Sequence, residues 1–453
     1  MELILMHKDV KVMKFSLNEK CNIQSIIEIY DVNHMPYIAR EATNNKLFKL
    51  TEWWNDRSVP LSREGYHEAM NELGLDNSLA LVIKARGLSL TDQYWLKSEE
   101  EDIRYDDVSF FSNDFSNDVG EIFIGNKIKG KISFFSPEST SNGNLRKKWV
   151  NIKGKKYLLK SGTSPHRYEV FNEVIASRVM DILGIDHVSY ELAFYGGIYC
   201  RSLDFISYNE DFVSAYQIIK SVDKRNDVSL YNHLLNIVSY LGISDYQKTL
   251  DQMLLVDYLL GNTDRHLNNF GLIRDAKSLA FTRAAPIFDT GSCLGYNLSD
   301  EELSSLNHVE WMPFSSQKHH DQLSLISDYS WIDVDGLKSI PFQIDQLLIK
   351  YDDYISITRR KAILAFLTRR VNRILRVMGI DEEVSLSFIN LTLLEEDILY
   401  FVKTHNNKLV DLNKMADEYG VAYITIYRAV SSLTDKGLLE RIGSRKKGYW
   451  ILQ

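Results

Sequence analysis

Apolar residues follow two rhythms along the chain. ELILM opens the sequence as a strand, and residues 63–73 and 78–86 space their apolar side chains at helical intervals. From Glu121 the rhythm becomes that of short strands: EIFIG, KGKISFF, KKWVNI and KYLLK, the last ending at Lys160. A helix is predicted over 168–183, with Phe171, Val174, Ile175 and Val179 on one face and Gly184 ending it. SYELAFY and GIYCRSLDFI read as two further strands. From about Phe212 the pattern is mainly helical, with a strongly apolar helix over 246–260 that stops at Gly261-Asn262. A last block, about 393–453, reads as three helices (394–404, 412–419 and 422–436) and two strands (438–442 and 449–452) around Gly443–Gly448. That spacing predicts a winged helix-turn-helix with its third helix in the recognition position.

Composition narrows the class. The 453 residues carry 53 Lys+Arg against 61 Asp+Glu, a net charge of −8, with 45% hydrophobic residues. This is the profile of an ordinary folded chain of about three domains. Cys21, Cys200 and Cys293 are too few and scattered for a disulfide framework or a zinc knuckle, so a reducing, cytoplasmic compartment is expected. MELILMHKDVKVM has no signal-peptide core, and no apolar run reaches the ~18 residues of a membrane span, so no membrane partner is expected. Residues 97–118 hold eight acids together with Phe110, Phe111 and Phe115, which predicts a packed acidic connector.

Candidate chemistry concentrates after the 246–260 helix. In Gly261-Asn-Thr-Asp-Arg-His-Leu-Asn-Asn-Phe270, Asp264 and Asn269 stand five residues apart in a loop that enters the strand FGLI. Twenty residues after Asn269, Pro286-Ile-Phe-Asp-Thr-Gly291 reads as an apolar strand ending in a carboxylate and a glycine. Phosphoryl transfer needs these parts. One carboxylate orients or deprotonates the acceptor hydroxyl, and an amide oxygen with a second carboxylate holds Mg²⁺ on the phosphates.

Asn262-Thr-Asp264-Arg-His266-Leu-Asn-Asn269 resembles the N-x-D-x-H-x-x-N catalytic loop of HipA-like serine/threonine kinases. Its Asp264-Arg265-His266-x-x-Asn269 string is similar to that of phosphatidylinositol kinases, which share the fold. The order of strands, one helix, strands and a helical half agrees. The resemblance spans roughly residues 120–380 and implies an α+β, two-lobed protein-kinase-like (HipA- or phosphatidylinositol-kinase-like) fold. Flanking it would be an N-terminal α/β domain and the C-terminal winged helix. The expected boundaries are 1–118 for the N-terminal domain, 119–206 for the N-lobe, 207–390 for the C-lobe and 391–453 for the winged helix.

The resemblance implies ATP and Mg²⁺ as cofactors. Asp264 would be the catalytic base, His266 a structural member of its loop, and Asn269 and Asp289 the Mg²⁺ ligands. Lys160 would hold the α/β-phosphates, paired with Glu173 on the following helix. Ser136–Trp149 lies where kinases place a phosphate-covering loop. It has Gly143 as its single loop glycine, and Ser136, Ser139, Thr140 and Ser141 as hydroxyls open to autophosphorylation. A phosphate there would lie near Lys147 and Lys148; a plain polar hairpin is the other reading. The hinge facing adenine is sought in 200–206, with Asp204, Phe205 and Ile206 at its end.

Partners follow the same reading: a protein substrate, an antitoxin-like helix-turn-helix protein as in toxin–antitoxin pairs, and DNA. In 421–453, six basic residues face two acidic ones. Thr425, Tyr427 and Arg428 are candidates for a DNA groove, and Arg445, Lys446 and Lys447 for phosphates; protein docking is the alternative. A basic helix around Arg359, Arg360, Lys361, Arg369, Arg370, Arg373 and Arg376 reads as a solvated C-lobe face. His319-His320 has no third ligand nearby, which argues against a metal site. Two other functions stay open: a lipid or small-molecule kinase, and a DNA-binding regulator whose kinase fold is a sensor.

Overall fold

Glu2–His7 (β1) and Val10–Leu17 (β2) form an antiparallel hairpin flanked by Ile23–Ile29 (β3) and Tyr94–Lys97 (β4), in the order β3-β2-β1-β4. The structure, a computed structural model, describes residues 1–40, 42, 45–316, 321–385, 393–404, 408–409, 411–435, 438–443 and 448–452. The chain divides into two units, Met1–Ser299 with Leu306–Gly336, and Asp300–Ser305 with Leu337–Gln453.

Strand alternation sends β1 residues to opposite faces of this first sheet. Leu5 joins Trp53 and Trp54 of the helix Lys46–Asp56 in one cluster, while Ile4 and Met6 join Trp95, Tyr105 and Phe110 in another. The acidic connector is therefore packed: Tyr105 and Phe110 are fully buried although the acids around them are mostly not. One expectation fails here. EIFIG is not a strand, because Asp118–Phe123 is a helix, and KGKISFF has no regular structure. Val119, Ile122 and Phe123 stand at helical spacing and bury together against Val59, Tyr66 and Met70, and that shared cluster outweighs the strand propensity of Ile and Phe.

Lys147–Ile152 (β5), Lys155–Lys160 (β6), Tyr190–Phe194 (β7) and Ile198–Leu203 (β8) make a second antiparallel sheet, ordered β5-β6-β8-β7. Its register sets Lys160 between Lys147 and Cys200. The helix Tyr168–Leu183 lies between β6 and β7 in the chain and ends at Gly184 with φ 64°. A third sheet, Glu210–Ser214 (β9), Gly271–Asp275 (β10) and Phe281–Ala284 (β11), is ordered β11-β10-β9. Gly271 permits the close approach of β9 to β10, since a Cβ there would sit 2.2 Å from the Val213 carbonyl oxygen. Pro286–Gly291 is not a strand. It makes one bridge, His187 with Ile287, and then turns at Asp289, whose φ of 56° is left-handed.

In the second unit, the helices Leu393–Thr404, Leu412–Glu418 and Tyr423–Asp435 pack with Lys408–Leu409 (β12), Leu439–Ile442 (β13) and Tyr449–Leu452 (β14), ordered β12-β14-β13. Ile398, Val402, Met415, Ile426, Leu433 and Trp450 form their core. The basic helix Ile357–Val377 is not simply a solvated face: Arg359 is buried with Asp300 3.5 Å away, Arg370 is also buried, and Arg360 pairs with Asp345 at 2.6 Å. Among the described residues no helix is long and apolar enough to cross a membrane.

Candidate active site

Lys160 closes β6 with its side chain buried. Its ammonium donates to Asp289 Oδ1 at 2.6 Å, to Glu173 Oε1 at 3.1 Å and to the Tyr190 hydroxyl at 3.3 Å. Burial works against the ammonium, but the Asp289 and Glu173 carboxylates outweigh it and hold Lys160 well above its ordinary pKa. Burial likewise works against ionised Asp289, and Lys160 followed by Lys147 overcomes it, keeping the carboxyl well below the usual range. Burial raises Glu173, against the pull of Lys160; its Oε2 accepts the Thr290 N–H at 3.0 Å. Asp289 remains 34% exposed, so this carboxylate is both paired and reachable.

The loop after the helix Tyr246–Leu260 is stapled from inside. Arg265 is fully buried and forks onto Asp257, with both bonds 2.9 Å. Its remaining donors reach Thr290 Oγ1 at 2.9 Å, the Asn269 carbonyl at 3.2 Å and the Phe288 carbonyl. One guanidinium thus ties 262–269 to 288–290. Asp264 is exposed; its N–H donates to Asn262 Oδ1 at 3.2 Å and its carbonyl accepts from Asn269 Nδ2 at 3.2 Å. Partial burial raises the Asp264 carboxyl, His266 draws it down, and Asp289 adds to the rise. His266 Nδ1 accepts the Asn268 N–H at 3.3 Å.

A cleft of about 220 Å³ connects these groups. Lys160, His266, Asn269 and Asp289 line it, as do Asp204, Phe205 and Ile206 at the end of β8. Asp264 stands outside the lining, on the same loop as His266 and Asn269. Asn269 commits its Nδ2 to Asp264, leaving Oδ1 as its other polar atom. An amide oxygen and a half-exposed carboxylate on one cleft fit Mg²⁺, which takes few protein oxygens when phosphates supply the rest. Among the described residues no group of three His, Cys, Asp or Glu could hold a metal alone.

The serine-rich segment is not an open hairpin. Pro137–Thr140 is a 3₁₀ turn, and Ser136 and Ser139 are fully buried. Ser136 Oγ donates to Glu138, whose carboxyl burial raises to about 7. Thr140, Ser141 and Gly143 line the cleft, whereas Ser136 and Ser139 do not. Lys148 is committed to Glu121 at 2.5 Å, and Lys147 donates to the Asn142 carbonyl.

Residues 138–339 match the family model of the HipA-like C-terminal domain. The chain carries a HipA-like C-terminal domain. A serine/threonine-protein kinase, CtkA of Helicobacter pylori, is 30% identical over 132 residues, 27% of this chain and 40% of that protein, so the match spans well under half of the curated relative. The solved structure of the H. pylori proinflammatory kinase CtkA aligns with a TM-score of 0.38 at 21% identity, over 49% of this chain and 89% of the other. A chain from the Shewanella oneidensis MR-1 toxin–antitoxin complex of HipA, HipB and operator DNA aligns with a TM-score of 0.43 at 13% identity, over 83% and 98%.

The sequence reading missed several residues around the HipA-like domain's cleft. Tyr190 touches both Lys160 and the Asp289 N–H, and nothing in SYELAFY singles it out. Arg265 stands inside the motif but had no role assigned, and Asp257 lies on the preceding helix, where a charge among apolar residues was the available signal. Trp53 and Asp56 reach the cleft from the N-terminal region, with no signal at all. In the second unit, Thr425, Tyr427 and Arg428 are all exposed on the helix Tyr423–Asp435. Arg445, Lys446 and Lys447 lie outside the described residues, as do His319 and His320.

Proposed function

We propose that the protein is an ATP- and Mg²⁺-dependent serine/threonine protein kinase of HipA type. The observation that carries this is the meeting of Lys160 and Asp289 on one cleft although they stand 129 residues apart, with buried Glu173 accepting from the same ammonium. That pairing has a chemical use: Lys160, aligned by Glu173, holds the α/β-phosphates. Asn269 and Asp289 hold Mg²⁺, which neutralises charge on the phosphate oxygens. Asp264 orients the acceptor hydroxyl and takes its proton as the oxygen bonds to the γ-phosphorus and the bond to the β-phosphate bridge breaks, releasing ADP. The apolar end of the cleft, at Leu158, Phe205 and Ile206, takes the base. The names of the relatives, a serine/threonine kinase and a toxin–antitoxin complex, support a protein substrate and a toxin role with an antitoxin-like partner.

Intact-mass spectrometry of the full chain with and without Mg·ATP, beside Asp264→Ala, tests the reading. The expected result is phosphate gain on the wild type and none on the variant. A dephosphorylated wild type that neither gains phosphate nor binds ATP would sink it.

Residues 393–453 we read as a winged helix-turn-helix that binds DNA. Three helices and a three-stranded sheet enclose one core, and the exposed side of Tyr423–Asp435 carries Thr425, Tyr427 and Arg428. Arg428→Ala in the full chain should weaken duplex DNA binding and flatten its salt dependence. Binding unchanged at every salt concentration would favour protein docking.

A further inference from the structure

Arg63 belongs to none of the phosphoryl-transfer groups, yet it is only 2% exposed and spends its donors on one segment. Nε donates to the Gly143 carbonyl at 2.9 Å and Nη2 to the Ser141 carbonyl at 2.5 Å. Its neighbours do the same. The Glu64 N–H donates to the Asn144 carbonyl at 2.9 Å, and Ser62 Oγ to Asn144 Oδ1 at 2.6 Å. A little upstream, Asp56 accepts from Asn142 Nδ2 at 3.0 Å and from Asn268 of the catalytic loop at 3.3 Å. Residues 56–64 therefore hold each residue from 141 to 144 by at least one hydrogen bond.

The energetics make this grip conditional. A buried guanidinium is costly unless its donors are satisfied. Here they meet two neutral carbonyls and the face of Phe123 at 5.5 Å, and Nη1 has no hydrogen-bond partner. Burial lowers the Arg63 pKa to about 10, eased only by Glu138. If 141–144 lifted away, water would satisfy the same donors. The two arrangements are thus closer in energy than a carboxylate partner would allow. Seating the segment also turns the carbonyls of Ser141, Asn142 and Gly143 onto Arg63 and Lys147. Those oxygens would otherwise repel a phosphate entering the cleft that Thr140, Ser141 and Gly143 line.

We infer that Arg63 is a positioning residue, the clasp by which the N-terminal region seats the phosphate-covering segment over the cleft. Nucleotide binding then depends on residues 56–64 as well as on the HipA-like domain. The inference rests on the phosphoryl-transfer reading for what enters the cleft.

Two measurements on the full chain test it: affinity for the Mg²⁺ complex of a non-hydrolysable ATP analogue, by calorimetry, and amide hydrogen exchange of 136–146 without nucleotide. For Arg63→Ala we expect the dissociation constant to rise about tenfold or more, the scale of one to two lost charge-assisted hydrogen bonds. Exchange should quicken in 136–146 and stay unchanged in 262–269 and 286–291. Arg63→Gln, which keeps a donor for one carbonyl, should fall between and carries the test if the alanine variant does not fold. Unchanged affinity and unchanged exchange in a folded variant would overturn the clasp. So would exchange that quickens throughout, which would make Arg63 a structural residue only. If the wild type fails to bind the analogue, the phosphoryl-transfer reading falls, while the exchange pattern still decides whether Arg63 seats the segment.

Discussion

Two buried charge clusters in the first unit differ in one respect. At the cleft, Lys160 joins Glu173 and Asp289. Elsewhere, Asp211 on β9 joins His7 of β1 at 2.9 Å and Arg274 of β10 at 2.9 Å. The second cluster is sealed: His7, Asp211 and Arg274 are each 1% exposed or less, and Asp211 also accepts the Gln93 N–H at 2.9 Å. The first is open at one corner, because Asp289 is 34% exposed. A sealed cluster has its partners fixed at folding and can only hold, here tying the N-terminal sheet to β9 and β10. An open one can exchange a protein partner for a ligand, since water and solutes reach the carboxylate.

The sharpest way to break the comparison is to remove the carboxylate from each. Asp289→Ala should cut phosphoryl transfer by about 10³-fold, as expected for a preorganised charge at the phosphates, and cost little stability. Phosphotransfer assay and thermal melting on the same sample would show the split; a variant that keeps its rate would remove Asp289 from the chemistry. Asp211→Ala should do the reverse. It strands a buried guanidinium, for about 3–5 kcal/mol of stability by denaturant titration, and leaves nucleotide affinity near wild type while the chain is folded. Loss of affinity without loss of stability would mean that the sealed cluster also serves the cleft.

A smaller effect separates charge from shape. Burial opposes ionised Asp211, but His7 and Arg274 outweigh it and depress the carboxyl well below its ordinary value. A depressed carboxyl contributes stability that is present above the unfolded value near 4 and lost as pH falls through the folded value. Asp211→Asn removes that dependence. Its stability should therefore fall less steeply than the wild type's below pH 4, by about 1 kcal/mol; parallel acid curves would show that other carboxylates set the slope.

What was legible in the chain follows the range of the forces involved. The helices Tyr168–Leu183 and Tyr246–Leu260 were readable to the residue, because apolar spacing and a terminal glycine are local signals. The motif around Asp264 and Asn269 was readable because loop chemistry depends on residue order. EIFIG reads as a strand but falls at the end of the helix Asp118–Phe123, since so short a segment takes its form from what it packs against, here Val59, Tyr66 and Met70. Ser136 and Ser139 read as loop hydroxyls for the same reason: their burial comes from distant chain, with Ser136 donating to the Ser116 carbonyl and neighbouring Thr140 to that of Leu88.

Sequence alone determined the helices Tyr168–Leu183 and Tyr246–Leu260, the residue order of the loop that follows the second, and the pairing of Lys160 with a helix glutamate, each encoded within some twenty residues. Only the tertiary structure decided that Asp289 completes that pair, that Tyr190 and Arg265 brace it, and that Arg63 from the N-terminal region grips the segment beside it. Those contacts join residues up to 129 positions apart along the chain. They depend on burial and strand register, which a linear pattern does not carry, because the free energy of a charge is set by whatever the fold brings within a few ångströms of it.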